Sequence, residues 1–200
     1  MNAATLPRIA VLIAVQIVMK LIGLGSVPVG PLYMSFLTLP IAIGAMLIGP
    51  AAGAILGGVF GAVSLFDAIT GKSVMTGMFF QISPIHTVIL CVGMRILMGF
   101  CCGMLFKAFK AADSRSIWCY GAGALSAPLL NTLFFMGYIV LVFYRTDYIQ
   151  NLVQSLGAAN PFMFVVLLVG MQGLVEALVV GIVGGILGKS LAHFLNRQAD

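Results

Sequence analysis

Along the chain, long apolar runs alternate with short polar or Gly/Pro breaks, and the runs separate with little ambiguity at about 6–25, 32–48, 51–68, 85–106, 117–143 and 162–194. A helix that crosses a bilayer needs about 20 consecutive apolar residues, and each of these stretches approaches or exceeds that length. The breaks between them are GSVPVGP, Gly49-Pro50, TGKSVMTGMFFQISP, the charged segment KAFKAADSR and the longer connection YRTDYIQNLVQSLGAANP. Backbone facing lipid must satisfy its own hydrogen bonds, which leaves helices or closed barrels. The runs are too long and too continuous for the alternating strands of about ten residues that build a barrel. The pattern predicts an all-α integral membrane protein, a six-transmembrane-helix bundle forming one membrane domain over residues 1–200. Pro40 is expected to kink the second span.

Composition agrees with that reading. The 200 residues are 62% hydrophobic and 8% charged, with a mean hydropathy of +1.16. Soluble domains carry about 25% charged residues, so lipid must solvate most of these side chains. No separate catalytic or nucleotide-binding domain fits beside six spans. The first residues have a signal-like charge and apolar run, but the run continues past a leader's length without a small-residue cleavage site and reads as a retained first span. Cys91, Cys101, Cys102 and Cys119 form no metal-type pair and read as small packing residues.

The net charge of +5 comes from basic residues placed singly, so no patch suited to nucleic acid forms. The same residues set the orientation. With the N-terminus inside, Arg8, Lys107, Lys110, Arg115, Lys189 and Arg197 fall on the inner side, against Lys20, Lys72 and Arg145 outside, and both termini are expected in the cytoplasm.

Within the spans, Gly49, Gly53, Gly57 and Gly61 recur every four residues and make one smooth helix face, a pattern repeated at Gly99/Gly103 and Gly181/Gly185. Small residues let helices approach closely in lipid, either inside the bundle or against a partner. Ala10 and Ala14 are a weaker instance. Arg95, Asn131 and Glu176 are predicted near mid-depth, where a lone charge is costly and has to find partners or a cavity. Asn131, Phe135 and Tyr138 share one helix face, as do Gln172 and Glu176. Two readings stand: an Arg95–Glu176 ion pair that fixes packing, or a solute pocket built from Arg95, Asn131, Gln172 and Glu176 with aromatic walls. Asp67 and His86 are expected to be wetted residues at span ends. No metalloprotease, hydrolase or intramembrane aspartyl pattern occurs. The phosphate-loop-like GGILGKS lacks its first glycine (Val183 stands there) and lies in a membrane helix, so it binds no nucleotide.

These residues also carry a family resemblance. The run VPVGPLYMSFLTLPIAIGAMLIGPAAGAILGGVFGAVS, the R-I-L-M-G at Arg95, N-T at Asn131 and E-A at Glu176 resemble the substrate-binding S-components of energy-coupling-factor (ECF) vitamin transporters, over nearly the whole chain and most closely the pantothenate-type members. The resemblance implies a multi-pass protein of the cell membrane that binds one B-vitamin near the outer face and needs no cofactor. It implies as partners a transmembrane T-component and two cytoplasmic ABC ATPases. It places the vitamin pocket at the first outer loop and the outer halves of the fourth to sixth helices, where Arg95, Asn131 and Glu176 fall. It maps a docking motif for the T-component onto Ala10 and Ala14. Another vitamin or precursor (riboflavin, folate, a thiamin or queuosine precursor) is the alternative within that class. Outside it, the alternative is a self-sufficient carrier or channel, whose usual inverted repeats are not detectable here.

Overall fold

The computed structural model describes residues 5–25, 27–29, 32–112 and 117–197. The chain's two ends, on which the expected cytoplasmic orientation bears, lie outside them. The described residues form a helical bundle: α1 (Thr5–Leu21), α2 (Thr38–Leu47), α3 (Pro50–Ile69), α4 (Val74–Ile82), α5 (Pro84–Val88), α6 (Met94–Ala112), α7 (Ile117–Tyr138), α8 (Asp147–Leu156) and α9 (Pro161–Arg197). Between α1 and α2 a short antiparallel hairpin pairs β1 (Val27–Val29) with β2 (Leu32–Met34).

Among the described residues four helices are long and apolar enough to cross a membrane: Pro50–Ile69, Pro84–Ala112, Trp118–Phe143 and Gln172–Phe194. The number rises to five if Asp147–Leu156 and Pro161–Gly170, bent by 73°, count as one broken span. The membrane helical bundle is therefore present, while length and composition alone do not reach six spans. In place of the second expected span stands the hairpin strand followed by the ten-residue α2. Pro40 lies in the first turn of α2, where a backbone N–H has no intrahelical acceptor to lose, so it does not act as a mid-span kink.

Local chemistry sets the α2–α3 junction. Gly49 has φ 124° and ψ −176°, a backbone conformation open essentially to glycine, and Pro50 follows at the first helical position, where its fixed φ suits a helix start. The chain thus turns sharply and lays α3 beside both α2 and α6.

Two stretches expected as connections are helical. In α4, Met75, Thr76 and Phe79 point inward. In α8, Ile149 and Val153 are buried on one face of an otherwise polar helix, which ends at Gly157 with φ 64°. The buried apolar side chains form two clusters. One joins Leu37, Ile41, Ala45, Leu56, Phe60, Met98, Phe106 and Tyr120. The other joins Met75, Phe79, Leu90, Phe135, Ile139, Phe143, Ile149 and Phe164.

Candidate functional site

The site begins with an irregularity in a helix. Between α5 and α6 the backbone winds as a π-helix over Ile89–Gly93, and Arg95 is the second residue of α6 after it. Such wide turns carry an extra residue and often occur where a side chain must be redirected for function. Arg95 turns back on this segment, its Nη1 donating to the Cys91 carbonyl at 3.1 Å. Its guanidinium lies between two aromatic rings, 4.3 Å from the Phe60 centroid on α3 and 4.7 Å from that of Phe135 on α7. Aromatic faces attract a desolvated cation, so the charge is held without a carboxylate. Nε is left with no partner.

Glycines on α3 make this placement possible. A Cβ at Gly57 would fall on the Arg95 carbonyl oxygen, and one at Gly61 would meet the Cys91 carbonyl oxygen at 2.7 Å. Gly53 and Gly99 meet backbone to backbone one turn further along the same seam. Gly49 has a different part, the sharp turn before α3.

Glu176, on α9, is buried as deeply as Arg95, and the two do not form an ion pair. Instead Thr38 at the start of α2 donates to Glu176 Oε1 at 3.0 Å, and the Ser35 backbone supplies a further hydrogen bond. Asn131 lies one turn before Phe135 on α7, and Gln172 one turn before Glu176 on α9. The oxygens Asn131 Oδ1 and Gln172 Oε1 are buried without a partner.

Apart from Thr38, these side chains border one cavity, with about 100 Å³ of room for the centres of water molecules. Arg95, Asn131, Phe135, Gln172 and Glu176 line it, together with Ser35, Ser64, Asp67 and Thr76. Five of the six residues singled out from sequence are thereby brought together. Tyr138 is not among them: its hydroxyl lies 2.8 Å from His86 Nδ1, outside the cavity wall. Ala10 and Ala14 lie apart on the exposed face of α1, while Ile9 and Gln16 of the same helix turn inward.

Asp67 departs from expectation. It is buried, and one carboxylate oxygen pairs with Lys20 of α1. The position near a span end suggested water, but α1 packs beside α3 and brings Lys20 onto the carboxylate. His86 is exposed on the surface of the bundle. The sequence carried a signal for Ser64 and Asp67, which continue the face of Phe60 at helical spacing. None pointed to Thr38, whose role depends on contact with a residue 138 positions away.

A cavity with a guanidinium, carboxyl groups, amides and hydroxyls, set in an otherwise apolar bundle, suits a small polar solute. Among the described residues no cluster of side chains could hold a metal ion. Residues 4–188 match the family described as ECF transporter, substrate-specific component. No curated protein matches the chain. With the match covering nearly the whole length, the chain belongs to that family, whose members are the substrate-specific subunits of transporters and not catalysts.

Proposed function

From that membership, we propose that the chain is the high-affinity substrate-binding membrane subunit of an ECF importer for a B-vitamin or related small molecule, with pantothenate the first candidate. In this reading the chain crosses the cell membrane six times with both termini in the cytoplasm. It works with a transmembrane T-component, docked on Ala10 and Ala14, and with two cytoplasmic ABC ATPases that supply the energy.

One observation carries the binding assignment. Seven buried side-chain polar atoms among the described residues have no hydrogen-bond partner, and six of them belong to residues lining the cavity. They are Ser35 Oγ, Asp67 Oδ1, Thr76 Oγ1, Arg95 Nε, Asn131 Oδ1 and Gln172 Oε1. A buried polar atom left unpaired costs about 1–3 kcal/mol. Such atoms scattered through a protein would reflect local compromise, whereas gathered around one cavity they constitute a surface complementary to a polar molecule. Pantothenate offers a carboxylate for the guanidinium, which binds such groups through charge-assisted forked hydrogen bonds. Its amide and hydroxyls suit the remaining groups.

Calorimetry on the purified protein against pantothenate, riboflavin, folate and thiamin tests this, with mass spectrometry of whatever co-purifies. Sub-micromolar binding of one vitamin is expected, along with co-purification of ATPases. Failure on both counts ends the proposal. Uptake by liposomes containing this chain alone, driven by an ion gradient, would favour the self-sufficient carrier.

A further inference from the structure

The Lys20–Asp67 pair has a feature that a purely structural ion pair does not need. Asp67 is 7% exposed, and its Oδ2 accepts from Lys20 Nζ. Its other oxygen, Oδ1, is buried, has no partner, and belongs to a residue of the cavity wall. Lys20 stays partly exposed, but the Asp67 charge is held out of water, and that cost is balanced only when the remaining lone pairs are also satisfied. A tie between α1 and α3 would satisfy both oxygens or use apolar contact, which is cheaper. Here one oxygen is held by the lysine and the other is left for something else.

We infer that Asp67 is a substrate-binding residue, its Oδ1 accepting a hydrogen bond from an N–H or O–H group of the transported molecule, and that Lys20 is the positioning residue that fixes which oxygen faces the cavity. The inference rests on reading the cavity as the substrate site. It narrows the substrate class. A carboxylate accepts and never donates, so the molecule must present a donor at Asp67 as well as a group suited to Arg95. An anion with no N–H or O–H does not qualify. Neighbouring hydroxyls of Ser64, Ser73 and Thr76 line the same wall and tolerate either role.

The geometry makes an unusual prediction about substitutions. In Asp67→Asn the single amide oxygen is drawn to Lys20, so the N–H₂ group faces the cavity where an acceptor stood and meets the substrate's donor. In the double variant Lys20→Met/Asp67→Asn the amide is free to turn its oxygen to the substrate. Calorimetry with pantothenate, or with whichever vitamin of the panel wild type binds, should show affinity at least tenfold weaker in Asp67→Asn and several-fold recovery in the double variant. A tie between helices predicts no recovery, because the double variant also removes the bond to Lys20 that Asp67→Asn still keeps. Affinity in Asp67→Asn within twofold of wild type, or a double variant no better than the single, overturns the inference. If Asp67→Asn does not fold, Asp67→Glu replaces it. Glutamate keeps the charge and the lysine but moves the free oxygen, and the same tenfold loss is expected, with unchanged affinity overturning the inference. Arg95→Ala is measured alongside. If it loses binding while the Asp67 variants do not, only this inference falls. If wild type binds no vitamin, the substrate-site reading falls and this inference with it.

Discussion

Two stripes of small residues, each with spacing of four, sit in opposite surroundings in this protein. On α3, Gly53, Gly57 and Gly61 are buried against α6 and the wide turn before it, close enough that any side chain would strike backbone carbonyls of Arg95, Cys91 or Gly99. On α1, Ala10 and Ala14 face away from the bundle, and the helix is held through its other side. There Gln16 Nε2 reaches the carbonyls of Leu37 at 3.4 Å and Leu56 at 3.3 Å. A small-residue stripe states that a neighbour can come close. Whether that neighbour is a helix of the same chain depends on what the rest of the sequence offers. On α6, Gly99 and Gly103 answer the glycines of α3, so the match is internal. Nothing in the described residues answers Ala10 and Ala14.

The seam on α3 also bears on the cavity, because the carbonyl packed on Gly57 belongs to Arg95. Gly57→Leu is expected to have the largest effect of any single change considered. Forcing side-chain atoms into a packed seam costs about 1–3 kcal/mol, occasionally more, and here the obstacle is backbone that cannot rotate aside. Thermal unfolding in detergent should fall sharply, and Gly57→Ala should fall less while still weakening vitamin binding by shifting the Arg95 backbone. A Gly57→Ala protein with wild-type stability and affinity would show that the two helices are free to part, and would dissolve the contrast with α1.

Much of this arrangement is legible in the sequence, for identifiable reasons. The apolar runs locate α3, α6, α7 and α9 because lipid imposes length and composition directly. Arg95, Asn131, Gln172 and Glu176 stand out because polar groups are rare in such runs, and burial forces them toward one another or toward a cavity. What escapes is set by tertiary contact. The α4 segment is mixed in polarity and reads as a loop until Met75 and Phe79 are seen packed beside Phe143 and Phe135. The α8 helix had a usable signal, since Ile149, Leu152, Val153 and Leu156 recur at helical spacing, but polar residues between them hide it. Asp67 was expected in water because its neighbours in sequence lie at a span end, and Lys20 is 47 residues away. The Arg95–Glu176 pair, plausible from depth alone, is replaced by an aromatic sandwich and a Thr38 hydrogen bond.

Arg95→Ala comes next in size, and its effect should fall on binding. Among the described residues the guanidinium has no carboxylate in ion-pair contact, so removing it breaks no ion pair there. It does remove a charged donor from the cavity, a loss of about 1.5–3 kcal/mol if the substrate uses it, or roughly tenfold to a hundredfold in affinity. Calorimetry and thermal unfolding on the same preparation separate the outcomes. A large drop in stability with affinity preserved would make Arg95 a packing residue, another part of the α3–α6 seam. Glu176→Gln should be milder than Glu176→Ala. Glutamine keeps an acceptor for the Thr38 hydroxyl, while alanine leaves it only the Ser35 carbonyl at 3.3 Å, and the difference should be about 1 kcal/mol in stability.

Ala10→Leu and Ala14→Leu should have the smallest effect on the isolated protein, and they sharpen the comparison most. Exposed substitutions away from caps and buried networks change stability by about 0.5 kcal/mol or less, so unfolding and vitamin affinity should stay at wild-type values. If the stripe is where a T-component docks, a leucine there holds the two helices apart just as it would in the glycine seam, but between two proteins. Uptake measured in cells or proteoliposomes that also contain the T-component and ATPases should then be lost while binding by the isolated chain persists. Wild-type uptake would remove the docking assignment and leave the alanines as ordinary lipid-facing residues. Loss of stability in detergent would place their contact inside this chain, and the two stripes would differ in degree and not in kind.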